Sequence, residues 1–158
     1  GKMIHAQLIQ KFYSAFASKN IEDMIDCYHD DIRFEDPAFG ILEGDRAKSM
    51  WRMLLKNNKS KLDIEFSDIE TNGQIGTAQW TARYIFSQTG RNVVNNVKAE
   101  FEFKDGKIIK HTDHFDLYAW SRQAMGIKGL LMGWTPFFKT KLQQRTNKLL
   151  DHFIAQNK

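Results

Sequence analysis

Cysteine is almost missing from this chain. Cys27 stands alone, so no intrachain disulfide can staple the fold, and a reducing, cytoplasmic compartment is the expectation. Proline is nearly as scarce, with only Pro37 and Pro136, which leaves long runs free to form helices and strands. No stretch of eighteen apolar residues occurs, which excludes an ordinary membrane-spanning helix. A G-x-S-x-G motif and phosphate-cradling glycine patterns are both absent, so serine-nucleophile and nucleotide-binding chemistry have no carrier. Metal-ligand spacing is missing too: there is no H-x-x-x-H and no cysteine cluster. His111 is separated from His114 and Asp116 by strand alternation, so neither a metal nor a cofactor is expected.

Aromatic residues, by contrast, are plentiful, at 13% with twelve Phe and four Trp. In 158 residues they suit one domain with a large apolar interior or pocket. The net charge of +4 is unevenly placed. Residues 1–118 carry 16 basic and 18 acidic side chains, whereas residues 119–158 carry seven basic ones against Asp151 alone, a net of +6. A nucleic-acid binder more often spreads basic residues over its binding face, so nucleic acid is not the expected partner.

Hydrophobic spacing orders the chain. Apolar residues at 4, 8, 9, 12, 13 and 16 predict a first helix. Asn20 is placed to cap a second, with Ile21, Met24, Ile25 and Tyr28 as its inner face, and a third runs from Gly44-Asp45 through Leu55. From Leu62 the period changes to two. Strands are expected over 62–67, 77–86, 93–103 and 107–118, with turns at Asn72-Gly73 and Asp105-Gly106. A helix over 117–124, a loop punctuated by Gly126, Gly129 and Gly133, and a last helix over 135–153 follow. Three helices followed by four long antiparallel strands indicate an α+β domain.

The stretch "IRFEDPAFG" (32–40) ends a short strand on Asp36, directly before Pro37. Asp-Pro is ordinary turn chemistry, so Asp36 is either a turn former or a carboxylate aimed into a pocket. The segment "NIEDMIDCYHDDIRFEDP" (20–37) resembles the ketosteroid isomerases of the nuclear-transport-factor-2-like superfamily. That superfamily also holds SnoaL-type polyketide cyclases and limonene epoxide hydrolases. "HTDHFDLYAWSRQAMGIKGLLMGWTPF" (111–137) is similar to a bacterial SnoaL-like subgroup. The resemblance implies a cone-shaped fold with helices on a curved antiparallel sheet over residues 2–118. Residues 119–158 form a C-terminal helical extension of the same domain. It also implies a homodimer through the outer sheet face, and it places the isomerase general base on Asp36. The isomerase oxyanion donors fall instead on Phe12 and near Ala99, which donate nothing, so steroid isomerisation in that form is not implied.

Strand parity suggests the remaining site residues. With the apolar face concave, Ala78, Trp80, Ala82 and Tyr84 point inward on one strand, and Asn95, Val97, Ala99 and Phe101 on the next. The resemblance puts His111, Asp113 and Phe115 inward on the last. Small Ala78, Ala82 and Ala99 would leave open space for a small hydrophobic organic molecule. Asp36, His111 and Asp113 are then the candidate acid–base groups. Tyr28, Trp51, Trp80, Tyr84, Asn95 and Phe115 are candidate ligand contacts. For each there is a structural alternative: a polar pair bracing the sheet, or an aromatic that simply fills the core. Cys27 adjoins no base that would activate it. The last helix mixes Phe137, Phe138, Leu142, Leu149, Leu150 and Phe153 with Lys139, Lys141, Arg145 and Lys148. It either folds back, burying Trp120, Leu130, Trp134, Phe138 and Leu142 on the cone, or lies on an anionic membrane surface.

Overall fold

The computed structural model describes residues 2–58 and 61–157. Its elements run α1 (Lys2–Ala17), α2 (Ile21–Ile25), β1 (Tyr28–Asp36), β2 (Gly40–Glu43), α3 (Asp45–Asn58) and β3 (Asp63–Asn72). Then come β4 (Ile75–Phe86), β5 (Arg91–Lys104), β6 (Lys107–His114), α4 (Leu117–Met125), α5 (Ile127–Met132) and α6 (Pro136–Gln156). The strands form one curved, unclosed sheet in the order β2-β1-β6-β5-β4-β3. β3 to β6 are the expected antiparallel meander, while β1 joins its far edge parallel to β6.

Sequence patterning explains the core. The α1 stripe of Ile9, Phe12, Tyr13 and Phe16 is buried against the concave face, with Phe34, Met50, Trp51 and Phe101 closing around it. Each such side chain withdrawn from water stabilises by roughly 1.5–3 kcal/mol. On β5 alternation is regular: Val93, Val97, Ala99, Phe101 and Phe103 are buried and Asn95 half-buried, while Val94, Asn96, Lys98, Glu100 and Glu102 are exposed.

Four expectations need correction. Tyr28 is not on the second helix, because α2 ends at Ile25 and Tyr28 opens β1, paired with Ile108. Tyr28 is still buried, like Ile32 and Phe34, although exposed Asp30 and a register shift between Tyr28 and Arg33 interrupt the alternation of β1. The sheet has six strands, since Gly40, with φ +73°, turns the chain back from Asp36 into the short β2. The last strand stops at His114, where Asp116 accepts from the Ala119 N–H and starts α4.

The fourth correction concerns the tail. The glycine-punctuated segment is not a loop but α5, and its glycines face inward. A Cβ on Gly129 would overlap the Ser121 carbonyl, and one on Gly133 would overlap the Ser121 hydroxyl. α5 therefore lies backbone-close on α4 through its small residues, and its large ones turn outward. Leu130 and Trp134 are exposed rather than docked. Trp120 does pack on the sheet beside Val93, with Phe138 and Leu142 partly buried around it. α6 returns across α3: Leu150 is fully buried, and Arg46 bonds both Asn147 and Asp151.

Candidate active site

The concave face and the tail enclose a cavity of about 710 Å³. Its floor includes Trp51, Trp80, Ala82, Tyr84, Asn95, Asp113 and Phe115, and Asp36 stands at its side. Ala78 and Ala99 do not line it. They face each other across β4 and β5 within the packed core, so only Ala82 contributes the expected open space.

Asp36 ends β1, and the Pro37–Phe39 turn folds around it. Its Oδ1 accepts the N–H groups of Ala38 (2.9 Å) and Phe39 (2.7 Å), which is the turn chemistry the sequence allowed for. Its carboxyl nonetheless faces the cavity, so both readings of this residue hold at once. The side chain is half-buried, and what is exposed looks into an apolar enclosure. Desolvation there, helped by the charge of Asp113 and opposed by the two N–H groups, pushes its pKa up to about 7.

Asp113 belongs to a buried chain of hydrogen bonds. The Trp51 indole donates to the Tyr28 hydroxyl at 2.9 Å, and that hydroxyl lies 2.7 Å from His111 Nδ1. His111 Nε2 is 2.8 Å from Asp113 Oδ1, which also accepts from the Trp80 indole at 3.3 Å. One arrangement uses every donor. Tyr28 gives its proton to Nδ1, and a neutral imidazole gives its Nε2–H to Asp113. An imidazolium would instead need the Tyr28 oxygen as acceptor for Nδ1–H, leaving the phenolic proton without a partner in the chain.

His111 is wholly buried among Phe12, Phe34, Trp51 and Phe101 and does not line the cavity. Tyr28 also sits behind the wall. The structure therefore brings Asp36 and Asp113 to one enclosure, with His111 and Tyr28 supporting Asp113 from behind. Of the candidate hydrogen-bond donors, Trp51 and Trp80 are already committed within the chain. The Tyr84 oxygen accepts from the Trp120 indole at 2.7 Å, and among the described residues no group accepts its proton. Asn95 lines the cavity beside it.

Several lining groups lay outside the sequence expectations: Met125, Lys128, Met132, Lys141, Arg145 and His152, all from the tail. The arginine that strand parity failed to supply thus arrives on α6, although the side chain hydrogen-bonded to Asp113 is His111. α6 also grips the turn around Asp36. Gln143 donates to Pro37 O (3.1 Å), Thr146 to Ala38 O (2.8 Å) and Asn147 to Phe39 O (2.9 Å). The signal for this was present: 143, 146, 147 and 150 form one helical stripe that ends on the buried Leu150. Cys27 is inert here, since burial pushes its thiol up to about 11. Among the described residues, no group of His, Cys, Asp and Glu converges as a metal-ligand set.

The SnoaL-like domain family matches residues 9–111, the greater part of the sheet and its helices. The chain belongs to the SnoaL-like family. Solved structures share its nuclear-transport-factor-2-like fold. A putative polyketide cyclase from Xanthomonas campestris pv. campestris is 19% identical, with 77% of this chain and 97% of that one covered at a TM-score of 0.64. An LEH-like epoxide hydrolase from M. tuberculosis is 21% identical, with 84% and 92% covered at 0.63. An NTF2-like protein of unknown function from Burkholderia pseudomallei is 17% identical, with 75% and 95% covered at 0.66. At such identities the likeness is one of fold. No functionally curated protein matches the chain. The SnoaL-like match stops at His111, so α4 to α6, which close the cavity, lie beyond it.

Proposed function

We propose that this SnoaL-like protein binds a small hydrophobic carbonyl compound and moves a proton on it without a cofactor, as an isomerase or cyclase would. One observation carries the reading: Asp36, held near neutral pKa, shares an apolar cavity with a second carboxylate that is oriented from behind. A base poised near the working pH is the condition for efficient proton abstraction. Asp36 takes a proton from the carbon beside the carbonyl. The Tyr84 hydroxyl and the Asn95 amide donate to the oxygen that gains charge, and in a compound with a β,γ double bond Asp36 returns the proton to the γ carbon as the double bond moves into conjugation with the carbonyl. No electrons leave or enter. Asp113 holds the second acid–base position, and His111 and Tyr28 fix its orientation.

The test is a thermal-shift screen of hydrophobic ketones, esters and epoxides, followed by incubation of each stabilising compound in deuterium oxide. Solvent deuterium entering the compound supports the assignment. A ligand that raises Tm but neither exchanges nor changes assigns the domain to binding alone. Hydrolysis of an epoxide favours the branch in which Arg145 serves the carboxylates.

We also infer a homodimer through the outer sheet face, where Lys98, Glu100, Glu102 and His114 offer both charge signs. Light scattering should then return twice the chain mass of 18.5 kDa, and a clean monomer at micromolar concentration removes the inference.

A further inference from the structure

Among the described residues, nothing covers the outward face of α5. Between residues 127 and 137 six large apolar side chains are exposed: Ile127 (76%), Leu130 (50%), Leu131 (63%), Met132 (42%), Trp134 (68%) and Phe137 (61%). Gly129 and Gly133 explain the orientation, because the close approach to Ser121 admits only small residues on the inner face. Isolated exposed leucines need no explanation, but six large groups within eleven residues form a contiguous apolar tip.

Charge decides what this tip meets. Lys128 lies within it and Lys139, Lys141, Arg145 and Lys148 follow it along the chain, and none of the five forms an ion pair among the described residues. The only acid in residues 119–158, Asp151, is engaged by Arg46. A second copy docked tip to tip would bring together two tails, each with a net of +6 over residues 119–158. An anionic surface would attract both. No helix among the described residues is long and apolar enough to cross a membrane, so any lipid contact is peripheral.

We propose that the α5–α6 elbow docks on the surface of an anionic lipid bilayer. Ile127, Leu131, Trp134 and Phe137 enter the headgroup boundary, and the lysines sit over the phosphates. Trp134 suits the boundary, with an apolar ring and a polar N–H. Lys128, Met132, Phe137 and Lys141 also line the cavity, so its mouth opens beside the docked face. If the cavity takes a hydrophobic carbonyl compound, a clause that rests on the function proposed above, the bilayer is where that compound is concentrated.

The experiment is co-sedimentation of the full chain with vesicles of phosphatidylglycerol and phosphatidylcholine, and of phosphatidylcholine alone, in 0.1 M and 0.5 M salt. Binding to the mixed vesicles is expected to be at least tenfold tighter than to the neutral ones and to weaken in high salt. Leu131→Glu/Trp134→Glu and Lys128→Glu/Lys141→Glu should each lower it tenfold or more. These side chains are on the surface, so unchanged circular dichroism and Tm confirm that the variants fold. Absence of binding to the anionic vesicles overturns the proposal. So does binding that survives Leu131→Glu/Trp134→Glu, since that reports charge without insertion. Concentration-dependent self-association abolished by that variant, with no vesicle binding, assigns the tip to a second copy instead. Asp36→Asn should leave vesicle binding unchanged, which keeps this test separate from the chemistry of the cavity.

Discussion

Asp36→Asn is expected to have two opposite effects, losing about 10²–10⁴-fold in turnover while gaining stability at alkaline pH. The loss follows from removing the proposed base, a cavity carboxyl whose pKa burial raises to about 7. The gain follows from linkage. An acid held above its ordinary range in the folded chain binds its proton more tightly there than when unfolded. Charging it as pH climbs from about 4 to 7 therefore costs stability. The substituted amide would keep a carbonyl oxygen for the Ala38 and Phe39 N–H groups and never carry the charge. Water in the open cavity screens part of the penalty, which leaves a gain of about 1–3 kcal/mol at pH 8. That corresponds to a Tm rise of roughly 3–10 °C, vanishing below about pH 4. A Tm difference independent of pH, or higher in acid, would show that Asp36 is an ordinary surface carboxylate. Unchanged turnover on an identified substrate would remove it as the base.

The second large effect belongs to His111→Leu. The side chain is fully buried, and its two ring nitrogens join Tyr28 to Asp113. Leucine would leave the Tyr28 hydroxyl without its acceptor and Asp113 with the Trp80 indole alone. Breaking a buried polar pair on one side costs about 3–5 kcal/mol, far more than the pair contributes over an apolar replacement. Urea unfolding should show a midpoint lower by roughly 2 M. Adding Asp113→Leu should recover part of that loss, because the orphaned carboxylate disappears with its partner. A single substitution costing under about 1 kcal/mol would mean that the hydrogen-bond chain does not act as a unit.

Much of this was legible in the sequence because it depends on period. Alternation, with the apolar face taken as concave, placed Trp80, Tyr84, Asn95 and Val97 on the cavity side, while the family resemblance placed Asp113 there. The α1 stripe gave the core in the same way. Less legible was how deep each inward group lies. Parity puts His111 and Asp113 on one face, but it cannot say that Phe12, Phe34 and Phe101 cover the first and leave the second to the cavity. Tyr28 was misplaced because a four-residue spacing from Met24 mimics a helix across what is a helix-to-strand junction. The glycines of α5 read as breakers, while their role is close packing on Ser121, a contact no local pattern displays.

The grip of α6 on the Asp36 turn has a consequence for the proton itself. Gln143, Thr146 and Asn147 hold three successive carbonyls, and Asp36 holds the N–H groups of the last two of those residues. The helix thereby helps wall the carboxyl off from bulk water, and that enclosure is what raises its affinity for a proton. Thermodynamic reciprocity then requires that protonation favour the seated helix, and that lifting the helix release a proton near neutrality. Amide exchange along residues 142–153, compared at pH 6 and pH 8 after correction for intrinsic rates, should show faster opening at the higher pH. In Asp36→Asn that difference should disappear. The cavity would thus open more readily once its acid is charged, and close over it as the proton returns.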